Sequence, residues 1–68
     1  MRLNITVGMD NAAFTTDEDN CASIDEIQFV LIRVIEQMLT VGAQVYAGGN
    51  IMDSNGNAVG NWQITDED

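Results

Sequence analysis

The chain has 68 residues, enough for one small domain, and a domain of this size buries only about 60% of the surface that its unfolded chain exposes. Eleven Asp and Glu residues stand against Arg2 and Arg33, with no Lys or His, for a formal net charge of -9. This charge repels phosphate, so direct binding to nucleic acid or to an anionic membrane surface is excluded and a basic protein partner is favoured. Cys21 is the single cysteine and cannot form an internal disulfide, so we expect a protein of the reducing cytoplasm.

The first predicted element is a strand at the amino-terminal end. Leu3, Ile5, Val7 and Met9 alternate with polar or small residues, which is the period-2 pattern of a strand with one buried face. The segment 10–22 that follows has no periodicity and predicts a loop.

The second predicted element is a helix over residues 24–41. Ser23 and Glu26 have the spacing of a capping box, and Gly42 is placed to end the helix. Apolar residues recur at helical spacing and form one stripe that we expect to cover a sheet: Ile27, Val30, Leu31, Val34, Ile35, Met38 and Val41. Polar residues of the same helix lie opposite this stripe: Glu26, Arg33, Gln37 and Thr40.

The third predicted feature is a β-hairpin around Asn55-Gly56. Both residues tolerate the positive φ angles of a two-residue type I′ turn. That turn pairs Met52 with Val59, Ile51 with Gly60 and Gly49 with Trp62. The residues that then share the core face are Ala47, Ile51, Trp62 and Ile64.

Together these elements predict an α+β fold with the order β-α-β-β. The sheet is three-stranded and antiparallel with strand order 1-3-2, and the helix packs on one face. Residues 1–65 form a single domain, and residues 66–68 form a frayed acidic tail.

This topology predicts an acidic pole, because the end of the first strand, the loop, the helix start and the hairpin turn meet at one end of the domain. Seven carboxylates fall there and are the predicted partner-binding residues: Asp10, Asp17, Glu18, Asp19, Asp25, Glu26 and Asp53. The alternative explanation of the charge is solubility, or a proteome adapted to salt.

An apolar flank of the helix is the alternative partner-binding surface. Phe29, Ile32 and Glu36 lie off the main stripe. The two apolar residues either anchor a partner or lie beneath the 11–22 loop against Phe14.

The sequence offers no catalytic residues, metal site or cofactor site. No His or Lys is present to act with the carboxylates or with Cys21. The Asp53–Asn57 segment begins like a calcium loop, but Ala58 stands where that loop needs Gly and Ile64 where it needs Glu. A hairpin turn accounts for the segment.

Two segments carry a resemblance: residues 9–14 after the first strand, Met-Asp-Asn-Ala-Ala-Phe, and residues 52–60 around the hairpin, Met-Asp-Ser-Asn-Gly-Asn-Ala-Val-Gly. With the helix between them, they resemble small acidic β-α-β-β proteins encoded by phages and prophages. In size, charge and architecture the chain is similar to anti-CRISPR inhibitors, which occupy the DNA-binding surface of a defence complex. The resemblance implies a bacterial host cell and an inhibitor that mimics DNA in part.

We therefore expect a monomeric, non-enzymatic binding protein whose acidic pole engages a basic surface of a nucleic-acid-binding protein or defence complex. The alternative is a structural accessory protein that self-associates through the apolar helix flank.

Overall fold

The structure is a computed structural model that describes residues 1–18 and 20–66. Its elements follow in chain order: β1 (Arg2–Val7), a short 3-10 helix (Ala12–Phe14), α1 (Ile24–Val41), β2 (Gly48–Met52) and β3 (Ala58–Thr65). The first strand ends at Val7 and not at the predicted Met9. Among the described residues, no helix combines the length and hydropathy that crossing a bilayer requires.

The three strands form one antiparallel sheet with the order β1-β3-β2, so the predicted α+β fold and strand order are confirmed. β1 pairs with β3 in an unbroken register from Arg2 opposite Thr65 to Val7 opposite Gly60. Of the predicted tail, Glu67 and Asp68 lie outside the described residues, so the domain boundary stays a prediction.

The helix starts and ends where the sequence predicts. The Ser23 side chain accepts a hydrogen bond from the Glu26 backbone N–H (3.2 Å), and Gly42 follows the last turn with φ 93°. The capping box also predicts that the Ser23 backbone N–H donates to the Glu26 side chain, and this part of the prediction is wrong. The Ser23 N–H donates instead to the backbone oxygen of Phe14 (3.0 Å), which leaves the Glu26 carboxylate free to reach another partner.

The hairpin lies where predicted, but the type I′ turn is wrong. Only Gly56 has a positive φ in this turn, at 83°, and the Asp53 N–H donates to the backbone oxygen of Asn57 (2.9 Å). Residues 54–56 therefore form a three-residue loop that ends in the left-handed region, where glycine is favoured. The pairing of Ile51 with Gly60 holds, whereas Met52 lies opposite Ala58 and the register shifts between Ile51 and Met52.

The hydrophobic core lies between the helix and the β2–β3 half of the sheet. Its buried residues are Phe14, Val30, Val34, Ile51, Trp62 and Ile64, and Ala47 packs against them half-buried. The predicted core positions of Trp62, Ile51 and Ile64 are confirmed. Phe14 is 1% exposed although it lies in the segment predicted as a loop. The 3-10 helix and a bridge between Thr15 and Ala22 hold that segment against the core.

The helix is displaced towards β2, which corrects the predicted stripe. Gln37, predicted to lie opposite the stripe, accepts a hydrogen bond from Trp62 Nε1 (2.6 Å) and donates one to the Asn50 backbone oxygen (2.8 Å). Leu31 and Ile35, predicted to cover the sheet, are exposed, as is Val41. The stripe is therefore covered only on the side of the helix that faces β2.

Candidate acidic binding site

Four exposed carboxylates lie at the end of the domain to which β1 leads. Asp10 follows the strand by three residues, Asp17 and Glu18 lie in the loop, and Asp25 lies in the first turn of α1. The antiparallel sheet places the turn between β2 and β3 at this same end. We call these four residues the acidic pole.

The acidic pole is built around Glu18. One shallow, open concavity is lined by Asp17, Glu18, Cys21 and Asp25 together with neighbouring loop residues. A second shallow concavity is lined by Asp10, Glu18 and Cys21 among others. Glu18 and Cys21 border both, so the four carboxylates form one continuous acidic surface on which a convex basic group can rest.

The loop that carries Asp17 and Glu18 is held by its own hydrogen bonds. The Thr16 hydroxyl accepts from the Glu18 backbone N–H (3.2 Å) and donates to the backbone oxygen of Cys21 (2.9 Å). The Cys21 thiol donates to Glu18 Oε2 (3.4 Å). The thiol contact orients the Glu18 side chain, and both Asp17 and Glu18 stay exposed.

Glu26, predicted as a partner contact, is used inside the fold. It is 8% exposed, and its two carboxylate oxygens accept from Ser54, one from the backbone N–H and one from the hydroxyl, each at 2.7 Å. Both oxygens are thus engaged in joining α1 to the hairpin turn. This position belongs to the framework behind the acidic pole and not to its surface.

Asp53, also predicted as a partner contact, is 3% exposed and organises the hairpin turn. Its Oδ1 accepts from the backbone N–H groups of Asn57 (2.8 Å) and Asn55 (2.9 Å), and its Oδ2 accepts from the Asn11 side-chain amide (2.6 Å). The Asn57 backbone bond is the largest cause that lowers the pKa of Asp53, and together with the other donors it outweighs the opposing effect of burial. Asp53 is therefore held ionised as a turn-stabilising acceptor.

The remaining predicted carboxylate, Asp19, lies outside the described residues. The two arginines lie away from the acidic pole. Arg2 is at the opposite end of β1, across from Thr65, and the Arg33 guanidinium lies over the Phe29 ring at 5.9 Å from its centroid. No arginine therefore neutralises the acidic pole from within the domain.

The alternative site, Phe29, Ile32 and Glu36, lies on the outer face of the helix. Phe29 is 37% exposed and Ile32 is 46% exposed. Both side chains are exposed, so the 11–22 loop does not bury them. The flank is open to a partner, and its apolar area is limited because Arg33 stacks on the ring.

The described residues contain no group of three or more acidic or thiol side chains placed to hold a metal ion. Comparison with known protein families, with curated proteins and with solved structures finds no match to the chain. The function is therefore argued from the geometry and charge of the site.

Proposed function

We propose that the chain is a non-enzymatic binding protein whose acidic pole occupies a Lys/Arg-rich groove of a nucleic-acid-binding protein. The observation that carries the proposal is the continuous surface formed by Asp10, Asp17, Glu18 and Asp25, with Glu18 bordering both concavities. These carboxylates offer acceptor oxygens of the kind that lysine and arginine bind on a phosphate backbone.

The charge density supports mimicry of a short stretch of nucleic acid. Duplex DNA carries one negative charge per about 1.7 Å of axis, so the 39 Å long axis of the domain spans about 23 phosphates. The net charge of -9 is about 40% of that number. Such a surface can compete with DNA for a protein groove that binds only a few base pairs. It cannot replace an extended duplex.

The resemblance to small acidic phage-encoded inhibitors favours a bacterial defence complex as the partner. In that setting the chain blocks the DNA-binding groove of a CRISPR effector from inside the bacterial cell. The expected signature is competition with DNA, and no turnover of a substrate is required.

The test is a binding measurement with purified CRISPR effector complexes, in which the chain competes with a short DNA duplex at several salt concentrations. One triple variant combines Asp17→Asn, Glu18→Gln and Asp25→Asn. We expect it to bind about tenfold more weakly or worse, mainly through slower association, and with a shallower salt dependence.

The matched control combines Asp66→Asn, Glu67→Gln and Asp68→Asn, which removes the same formal charge from the other end of the chain. It should change the affinity by no more than about twofold. Equal weakening by both triple variants would show that net charge alone matters. If the chain displaced DNA from none of the complexes tested, the proposal would be refuted.

Self-association through Phe29 and Ile32 is the second candidate, and the exposure of both residues on the outer face of α1 favours it. It predicts a mass that rises with concentration and falls back to that of a single chain on Ile32→Lys. A single mass at all concentrations, or an unchanged association in that variant, would contradict it.

A further inference from the structure

The sheet face beside the helix is uncovered along β1. Leu3 lies opposite Ile64 and Ile5 lies opposite Trp62, so both side chains share the face on which the helix packs. Ile64 and Trp62 are buried, whereas Leu3 and Ile5 remain 49% and 38% exposed. The displacement of α1 towards β2 leaves these two apolar residues open to solvent.

The side of the helix nearest to this gap is also apolar and exposed. Leu31 and Ile35 lie one helical turn apart and are therefore neighbours along α1. Gln37 faces β2 through its bond to Asn50, and Leu31 and Ile35 lie on the other side of the buried Val34. Leu31 and Ile35 therefore face β1, and this pair makes the helix side of the gap apolar. Together with Leu3 and Ile5 they form what we call the β1 groove.

The β1 groove exposes an apolar patch. Its four residues expose roughly 350 Å², within the range of about 300 to 600 Å² for the largest apolar patch on a typical monomer. A stable interface buries about 800 Å² from each partner, so the groove supplies less than half of that area and the paired strand edge has to contribute the rest.

In the described part of the chain, no strand pairs with the outer edge of β1. Gly8 N–H donates to the backbone oxygen of Val59 (2.7 Å), so its amide points towards β3. Successive residues of an antiparallel strand direct their backbone groups to opposite edges. Leu3, Ile5 and Val7 consequently direct their N–H and C=O groups outward, away from β3.

Apart from Arg2 at its first position, this edge lacks the usual features that prevent pairing. β1 contains no proline or lysine, and its register against β3 is continuous. At the opposite edge of the sheet, by contrast, the register shifts between Ile51 and Met52, and Gln37 donates to the backbone oxygen of Asn50.

We propose that the β1 groove and the β1 edge bind a second copy of this chain, with the two β1 strands pairing antiparallel in one six-stranded sheet. Pairing Leu3 of one copy with Ile5 of the other keeps all four side chains on the helix side. It also joins residues whose backbone groups point outward in both copies. One register of β1 against β1 therefore does two things. It places the apolar side chains on the helix side, and it pairs backbone groups that point outward.

The distribution of charge favours a second copy as the partner and favours antiparallel over parallel pairing of the two β1 strands. Residues 1–9 contain no carboxylate, although the chain carries a net charge of -9. Antiparallel pairing directs the two acidic poles to opposite ends of the dimer and brings Arg2 of each copy towards the acidic end of the other. Repulsion between the poles is thereby minimised. The inference is independent of the proposed function, because the acidic poles stay exposed in the dimer.

The test is sedimentation equilibrium of the full chain from low micromolar to millimolar concentration, with hydrogen exchange read at single residues. We expect the mass to double with rising concentration and the amides of Leu3, Ile5 and Val7 to become protected together with it. Added salt should strengthen the dimer because it screens the net charge, whereas salt should weaken binding to a basic partner.

Leu31→Lys and Ile35→Lys change exposed residues of the β1 groove, and each should raise the dissociation constant of the dimer about tenfold or more. Ile35 is 56% exposed, so its replacement leaves the fold intact even if the Leu31 variant is destabilised. Ile32→Lys makes the same chemical change on the outer face of the helix and should leave the dimer unchanged.

A chain that stays monomeric at millimolar concentration and high salt would overturn the inference. A dimer that forms without protection of the β1 amides, or that only Ile32→Lys disrupts, would also overturn it and place the interface on the outer face of α1.

Discussion

Glu26 and Ser54 join the first turn of the helix to the hairpin turn. The carboxylate of Glu26 accepts from both the backbone N–H and the hydroxyl of Ser54, each at 2.7 Å, across 28 residues of sequence. Glu26 is nearly buried and its neighbour Asp25 is exposed. Two adjacent carboxylates at a helix start therefore have different roles, one in the fold and one on the acidic pole.

This difference predicts unequal losses of stability for two charge-neutralising substitutions. Glu26→Gln retains the shape of the side chain but replaces one acceptor oxygen with an amide that cannot accept from Ser54. We expect it to lower the free energy of unfolding by about 1 to 3 kcal/mol, because a buried bond to a charged group is lost. Chemical denaturation monitored by circular dichroism measures the change.

Asp25→Asn is the matched control. It removes the same charge one residue earlier and should cost less than about 1 kcal/mol, from the helix dipole alone. If both substitutions were equally mild, the contact between Glu26 and Ser54 would not contribute to stability.

The pKa of Asp53 predicts how stability depends on pH. Its folded value is lowered from the ordinary 3.8, chiefly by the Asn57 backbone N–H. A lowered folded pKa contributes stability above the unfolded pKa, and this contribution is lost as the pH falls through the folded pKa. We therefore expect wild type to lose stability below about pH 4 in part through this carboxylate.

Asp53→Asn tests this contribution. The variant should be less stable at neutral pH, and its stability should fall less than that of wild type on acidification, as measured by thermal unfolding across the acidic range. At neutral pH, Asp17→Asn at an exposed loop position should stay within about 0.5 kcal/mol of wild type. Parallel pH profiles for wild type and Asp53→Asn would refute the assignment.

Gln37 provides the acceptor for the indole N–H of Trp62, which is 1% exposed. Gln37→Leu leaves that N–H without a partner in the core and should cost about 1 to 3 kcal/mol of stability. Gln28→Leu, at an exposed position of the same helix, is the control and should cost less than about 0.5 kcal/mol. Denaturation followed by tryptophan fluorescence compares the two, and equal effects would contradict the role of Gln37.

Tyr46 has a φ of 72°, in the left-handed region that bulky side chains rarely adopt. Its backbone N–H donates to the Ile64 oxygen (2.8 Å), which holds this conformation in place. Tyr46→Asn should raise stability by about 0.5 to 1 kcal/mol, because asparagine tolerates this region better. Tyr46→Ala retains the strain and should show no gain. A destabilised Asn variant would mean that the exposed ring makes a compensating contribution.

The order of elements, the bounds of the helix and the strand order could all be predicted from the sequence. The period-2 alternation from Leu3 to Val7 and the apolar recurrence from Ile27 to Met38 report local geometry directly. Ser23 caps the first turn of the helix, and Gly42 ends the last turn with a positive φ. Both signals act within one turn of the residue that carries them, so the sequence alone predicts them. The hairpin makes β2 and β3 antiparallel, and the predicted position of β3 between the other two strands makes the whole sheet antiparallel.

Only the tertiary structure decided which residues of each pattern are buried. Asp53 and Asn11 are 42 residues apart, and their bond turns a predicted surface carboxylate into part of the hairpin. Phe14 enters the core through a segment without periodicity, and the displacement of α1 uncovers Leu31 and Ile35. Local spacing fixes the direction of a side chain relative to its own element. Long-range packing sets the position of that element against the others, and the local spacing of apolar residues carries no information about it.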